Sequence, residues 1–176
     1  MKGDDPLLAE HRKSSAKVIS CKVLTVSDTR TIDTDKSGKL LKELLHQSGH
    51  AVAEYEIVKD DISLITAELE KAIHNQDIQA VLLNGGTGIS KRDVTIEAVK
   101  PLLDKELVGF GELFRFLSYR DDIGSAAILS RAIAGVSGDT VIFSMPGSSG
   151  AVKLAMEQLI IPEIGHIANE LTKDSR

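Results

Sequence analysis

Ala80-Val-Leu-Leu-Asn-Gly-Gly-Thr-Gly88 is the stretch on which the fold turns. A short apolar run enters three glycines packed into four positions, which predicts a strand buried on both faces and a tight turn at its carboxyl end. Upstream, Asp60-Asp61-Ile62-Ser63 offers capping side chains to a helix whose Ile62, Ile65, Leu69, Ala72 and Ile73 form one stripe. Val52 to Val58 before it has strand character. Gly38 to Ser48 places Leu40, Leu41, Leu44 and Leu45 on one helical face, with Gly49 at the C-terminal cap position. Val18 to Ser27 is β-rich and ends at Asp28, and Thr29 to Lys36 reads as a polar loop. Strand, helix, strand, helix, strand within about 70 residues is the pattern of right-handed βαβ units in a parallel sheet.

Downstream of the glycines, Val94 to Ala132 reads as mainly helical, punctuated by Pro101 and Gly109–Gly111. Ala132 to Val136 and Thr140 to Met145 flank Ser137-Gly-Asp139, a hairpin turn that adds an antiparallel edge. Pro146-Gly-Ser-Ser-Gly150 leads into a helix through Leu159, and Pro162 opens a last helix ending near Leu171. The expected fold class is α/β: one three-layer domain over 17–171, with a mostly parallel sheet flanked by helices and an antiparallel edge hairpin. Residues 1–16 are expected to form a flexible N-terminal segment and 172–176 a frayed tail.

Composition agrees with that class and narrows the function. The 176 residues are 42% hydrophobic and 27% charged, so the chain is globular rather than disordered. With 21 Lys and Arg against 26 Asp and Glu, the net charge is −5, which repels phosphate backbones and anionic lipid. Neither nucleic acid nor a membrane is expected as a partner. Cys21 is the single cysteine, so no internal disulfide or thiolate cluster forms, and inside an apolar strand it reads as an inert core thiol. No apolar run reaches the roughly 18 residues of a membrane span, and the first residues have no apolar segment of a secretion signal. A cytoplasmic protein is expected.

The chemistry gathers at strand ends. In the Asn84–Gly88 loop, backbone N–H groups are free to converge on an anion, and Ser90, Lys91, Arg92 and Asp93 follow at once. The cations suit phosphate, and the carboxylate suits Mg²⁺ or the orientation of a nucleophile. A plain glycine-rich turn with a solvated charge run is the alternative. Met145-Pro-Gly-Ser-Ser-Gly-Ala151 repeats the strand-to-turn logic, although an ordinary strand-to-helix turn explains it as well. Asp28 and Asp60 also stand just past strands, where capping is the commoner job. Together these features favour one shared site if the strand order brings their ends together.

Several motifs are absent or incomplete. There is no G-x-x-x-x-G-K-[ST], G-x-G-x-x-G or G-x-S-x-G. Asp33-Thr-Asp35-Lys-Ser37-Gly38 starts like a calcium loop, but Leu44 stands at the twelfth position instead of Glu. The histidines at 11, 46, 50, 74 and 166 have no paired spacing for a metal and read as surface residues.

Taken in order, Val26-Ser-Asp-Thr-Arg30, Asn84–Gly88 with Arg92-Asp-Val-Thr95, Gly109-Phe-Gly-Glu112, Ala127-Ile-Leu-Ser-Arg131 and Met145-Pro-Gly-Ser148 resemble the molybdenum cofactor biosynthesis family of MoaB and MogA. The resemblance covers roughly 17–170. Phe110-Gly-Glu-Leu-Phe-Arg115 and Ile123-Gly-Ser-Ala-Ala127 are similar to the MoaB branch. It implies an α/β fold assembling as a trimeric or hexameric homo-oligomer, with molybdopterin as ligand. In adenylylating members, Mg²⁺ and ATP convert molybdopterin to adenylyl-molybdopterin with release of pyrophosphate.

By that resemblance Asp60 and Asp93 fall on the acidic, metal-binding catalytic positions. Gly85, Gly86, Thr87 and Gly88 would line the phosphate site, with Ser90 and with Lys91 or Arg92 neutralising pyrophosphate. Ser27, Asp28, Pro146, Gly147 and Ser148 complete the substrate-binding set, Ser148 and its loop holding the pterin. Relatives usually carry Pro after that Ser, where this chain has Ser149. A non-catalytic molybdopterin carrier of the same pathway and a nucleotide pyrophosphatase are the alternatives. Phe114, Phe116, Leu117 and Tyr119 are candidates for a subunit interface or for the core.

Overall fold

The structure is a computed structural model that describes residues 18–173. The expected flexible segment 1–16 and residues 174–176 of the expected tail lie outside the described residues. Six strands form one sheet: β1 (Ser20–Val26), β2 (Ala51–Val58), β3 (Ala80–Asn84), β4 (Lys105–Glu106), β5 (Ile133–Ser137) and β6 (Thr140–Met145). Their order is β2-β1-β3-β6-β5-β4. The first four run parallel, whereas β5 is antiparallel to β6 and β4 to β5. The helices are α1 (Lys36–Gln47), α2 (Ile62–Ile73), α3 (Thr95–Val99), α4 (Val108–Asp121), α5 (Ser149–Ala155) and α6 (Ile161–Leu171).

Alternation along each strand separates two cores. Cys21, Val23, Leu82 and Phe143 face α1 and the long C-terminal helices, where Leu41, Leu45, Val152, Met156 and Ile160 meet them. Leu24, Val26, Val81, Leu83 and Ile142 face the other way, onto Ile65 and Leu69 of α2 and Ala98 of α3. The three-layer expectation therefore holds, with aliphatic strands covered on both faces. Burial pushes the Cys21 thiol up to about 12, so it stays protonated in the core, as expected of an inert thiol. Among the described residues, no helix is long and apolar enough to cross a membrane.

Three local expectations need correction. The stretch 94–132 is not mainly helical throughout: a 3₁₀ turn at Lys100–Leu102 and strand β4 interrupt it, and a second 3₁₀ segment spans Gly124–Leu129. β4 extends the hairpin sheet as its true edge, and its two charged residues carry no alternating apolar signal. Gly109–Gly111 does not punctuate but lies inside α4, where a Cβ on Gly111 would stand 2.7 Å from the Ala132 carbonyl oxygen. Finally, the helix entered at Ser149 does not end at Leu159 but runs through a π segment at Met156–Ile160 straight into α6, which carries Pro162 in its first turn and ends at Leu171, as expected. The ring has no N–H to donate, and the widened turn just before it lets the chain pass without restarting.

The topology decides where a ligand can sit. The chain leaves β1 toward β2 on one side and returns to β3 on the other, so the crossover direction switches beside β1. The carboxyl ends of β1, β2, β3 and β6 all open onto one edge, since these strands are parallel neighbours.

Candidate functional site at the carboxyl edge of the sheet

The loop after β3 is built around close approach. Gly85 and Gly86 have φ of 102° and 61°, the left-handed region that side chains disfavour. A Cβ on Gly85 would lie 2.3 Å from the Val26 carbonyl oxygen, and one on Gly86 2.8 Å from Asp60 Oδ1. Thr95 secures the turn by donating its hydroxyl to the Gly85 carbonyl at 2.9 Å and its amide to the Gly86 carbonyl at 3.0 Å. Arg131 clamps the far side, donating to the carbonyls of Thr87 at 3.3 Å and Asp93 at 2.8 Å while pairing with Glu97. Thr87 is buried beneath that clamp.

Asp60 and Asp93 come from different strand ends and meet this loop from two sides. Asp60 neighbours Gly86, and a Cβ on Gly88 would touch Asp93 Oδ2 at 2.7 Å. The Ser90 hydroxyl and amide, the latter donating to Oδ2 at 2.9 Å, hold the Asp93 carboxyl below the usual range. Burial, reinforced by the negative charge of Asp93, pushes Asp60 upward. The two carboxyls are thus electrostatically coupled with affinities driven apart. Among the described residues, no group of three or more His, Cys, Asp or Glu is arranged to hold a metal. Any cation here would need oxygen atoms from a ligand to complete its shell.

Asp28 ties the edge together. Its carboxylate accepts the Asp60 amide at 3.3 Å and forms an ion pair with Arg92. Ser27 turns its hydroxyl inward to accept the amides of Thr29 and Arg30, each at 3.2 Å. Ser90, Lys91 and Arg92 stand on the exposed rim. Beside Asp28, a cleft of about 580 Å³ opens between the 27–33 loop and the end of β2. A second cleft, about 360 Å³, is lined by Ser90, Lys91, Asp93, Glu97 and Arg131.

The loop after β6 joins the same edge. A Cβ on Gly147 would lie 3.1 Å from the Gly85 Cα, so the two glycine-rich loops touch. Pro146 and Gly147 are half-buried there, and Ser148 caps α5 by accepting the Ala151 amide at 3.2 Å. Ser149 occupies the first helical position, which leaves that cap intact. The candidate catalytic and substrate-binding residues named from the sequence therefore share one edge, with the Ser27 and Ser148 hydroxyls already engaged in local hydrogen bonds.

Sequence reasoning missed the polar cluster beneath this edge. Asp35 is fully buried, caps α1 through the Gly38 amide at 3.0 Å, and accepts from Thr25 at 2.6 Å and Tyr55 at 2.7 Å. Burial alone would raise its carboxyl, but the bonds from Thr25, Gly38, Tyr55 and Ser37 hold it below its ordinary value. The available signal was the capping order Asp-Lys-Ser-Gly before a leucine-rich helix, obscured by its likeness to a calcium loop. His50 is also not simply a surface residue: it is half-buried and accepts the Ile19 amide at 3.3 Å.

A family profile described as "Probable molybdopterin binding domain" matches residues 22–166. The chain belongs to this molybdenum cofactor biosynthesis family. It is 62% identical over 164 residues to molybdenum cofactor biosynthesis protein B of Bacillus cereus, covering 93% of this chain and 97% of that one. A crystal structure of a molybdenum cofactor biosynthesis protein B superposes with a TM-score of 0.86 at 64% identity, covering 88% and 96% of the two chains. The tungsten cofactor synthesizing protein MoaB of Pyrococcus furiosus matches with a TM-score of 0.79 at 41% identity, covering 88% and 98%.

Proposed function

We propose that the protein binds molybdopterin across the touching glycine-rich loops and adenylylates it with Mg²⁺ and ATP. The terminal phosphate oxygen of molybdopterin attacks the α-phosphorus of ATP, a new P–O bond forms there, and the bond to the β-phosphate oxygen breaks. Pyrophosphate departs with that electron pair. The observation that carries this reading is the coupled pair Asp60 and Asp93 flanking the Gly85–Gly88 loop. Two carboxylates completed by phosphate oxygens form a donor set suited to Mg²⁺, and the repulsion felt by Asp60 is relieved by a cation. When bound, Mg²⁺ supplies charge neutralisation at the phosphates.

The remaining work is positioning. Amides of Gly86 and Thr87 receive phosphate oxygens, those of Gly85 and Gly88 being held by the Met145 carbonyl and the Asp93 carboxylate, and Lys91 brings positive charge at the rim. Arg92 contributes only if it leaves Asp28, to which it is paired. That engagement favours a second reading, a molybdopterin carrier of the same pathway without transfer chemistry.

Pyrophosphate release from purified protein with Mg²⁺-ATP, with and without anaerobically prepared molybdopterin, separates the readings. Pterin-dependent release is the expected outcome. Pterin binding without release would make the protein a carrier, and release without pterin would make it a nucleotide pyrophosphatase.

We also infer a cytoplasmic homo-oligomer, trimer or hexamer. Phe114 is core, but Phe116 and Tyr119 of α4 are 56% and 62% exposed, beside Ile123, Ile128 and Leu129. So many exposed large apolar side chains on two consecutive elements call for cover by another copy. Sedimentation equilibrium should return three or six protomer masses, and a monomer at micromolar concentration would overturn this.

A further inference from the structure

We infer that Arg30 is a positioning residue that sets the separation of the two glycine-rich loops, an inference that rests on both loops serving one ligand. Arg30 lies on the loop after β1, and its guanidinium reaches the carboxyl ends of β3 and β6. Nη2 donates to the Gly147 carbonyl at 2.7 Å. Nη1 donates to Asn84 Oδ1 at 3.3 Å, directly before Gly85, and also to Ser37 Oγ and to Asp35 Oδ1 at 3.3 Å. One planar group therefore spans residues 54 and 117 positions away in sequence.

The contact sits where the loops meet. A Cβ on Gly147 would lie 3.1 Å from the Gly85 Cα and 3.4 Å from Arg30 Nη2. The backbone of Arg30 is itself pinned, because its amide donates to the Ser27 hydroxyl at 3.2 Å. Its charge is anchored by Asp35, whose side chain is fully buried, while the arginine remains 30% exposed and borders the cleft beside Asp28. A lysine retains the charge near Asp35, but its single ammonium cannot reproduce the rigid fork that joins Asn84 to Gly147.

The separating experiment compares wild type with Arg30→Lys by amide hydrogen exchange without ligand, thermal denaturation and anaerobic molybdopterin titration. Arg30→Lys should exchange faster at Gly85 and Ala151, whose amides are held by Met145 and Ser148 beside the loop contact. Exchange at Gly38, held by Asp35, should be unchanged. Its Tm should stay within about 4 °C of wild type, while molybdopterin affinity falls about tenfold. Unchanged exchange at Gly85 and Ala151, equal acceleration at Gly38, or retained affinity would overturn the positioning role. If the lysine variant unfolds, Arg30→Gln, which keeps neutral donors, takes its place under the same criteria. Failure of wild type to bind molybdopterin would sink the proposed function instead, and the ligand-free exchange would still decide the role of Arg30.

Discussion

Asp35 and the pair Asp60–Asp93 are carboxylates at the same end of the same sheet, yet they live in opposite conditions. Asp35 is fully buried and saturated by Thr25, Ser37, Tyr55 and the Gly38 amide. Asp60 draws no side-chain donor among the described residues and feels the charge of Asp93. A buried charge with every lone pair occupied fixes structure, because removing its partners or the charge itself leaves polar groups stranded. A carboxyl left underserved beside a like charge costs stability and keeps capacity for something that arrives later. Depth and hydrogen-bond saturation, rather than residue type, separate the scaffold from the candidate chemistry.

The largest expected effect tests that division on the chemical side. Asp93→Asn should cut pterin-dependent pyrophosphate release by about 100-fold or more, since positioning and charge at the phosphates carry such a step. Its Tm should barely move, because the Ser90 contact is a partly exposed loop bond. Wild-type turnover in this variant would remove the proposed role of Asp93. On the structural side, Asp35→Ala strips the α1 cap and strands Thr25 and Tyr55. About 3 kcal/mol should be lost, lowering Tm by roughly 10 °C in a domain of this size. A Tm within about 2 °C of wild type would mean that the buried cluster contributes little.

How much of this was legible in the sequence follows from how local each cause is. β3 could be read because a strand covered on both faces is aliphatic, and β1 because most of its residues are apolar or β-branched, whereas β2, an edge strand with Glu54 and Glu56, shows only a β-rich run. The β5–β6 hairpin could be read because Gly138 takes a φ of 54° in its turn. β4 could not, since two charged residues become a strand only when β5 is already beside them. The same distinction governs the site. Asp60, Asp93 and both glycine-rich loops announce themselves by standing at strand ends. The bridge from Arg30 to Asn84 and Gly147 does not, because it depends on β1, β3 and β6 being neighbours in that order.

The smallest effect sharpens the comparison most, because the two kinds of carboxyl predict pH slopes of opposite sign. Asp35 is held below its ordinary 3.8, so the stability from its charged form is present above that value and is lost as pH falls through the lower folded value. Asp60 is pushed above 3.8, so its neutral form helps the fold below that value, and this help is lost as pH rises through the raised one. At neutral pH the Asp60 charge therefore burdens the native state. Asp60→Asn should be more stable than wild type there by about 2 °C in Tm, and the advantage should vanish in acid as wild-type Asp60 protonates. Asp35→Asn should show the reverse, its deficit largest at neutral pH and shrinking in acid. Thermal denaturation at about pH 7 and about pH 3 reads both signs. A neutral-pH loss of stability in Asp60→Asn would mean that its carboxylate is part of the scaffold after all, and the division between the two regions would fail at Asp60.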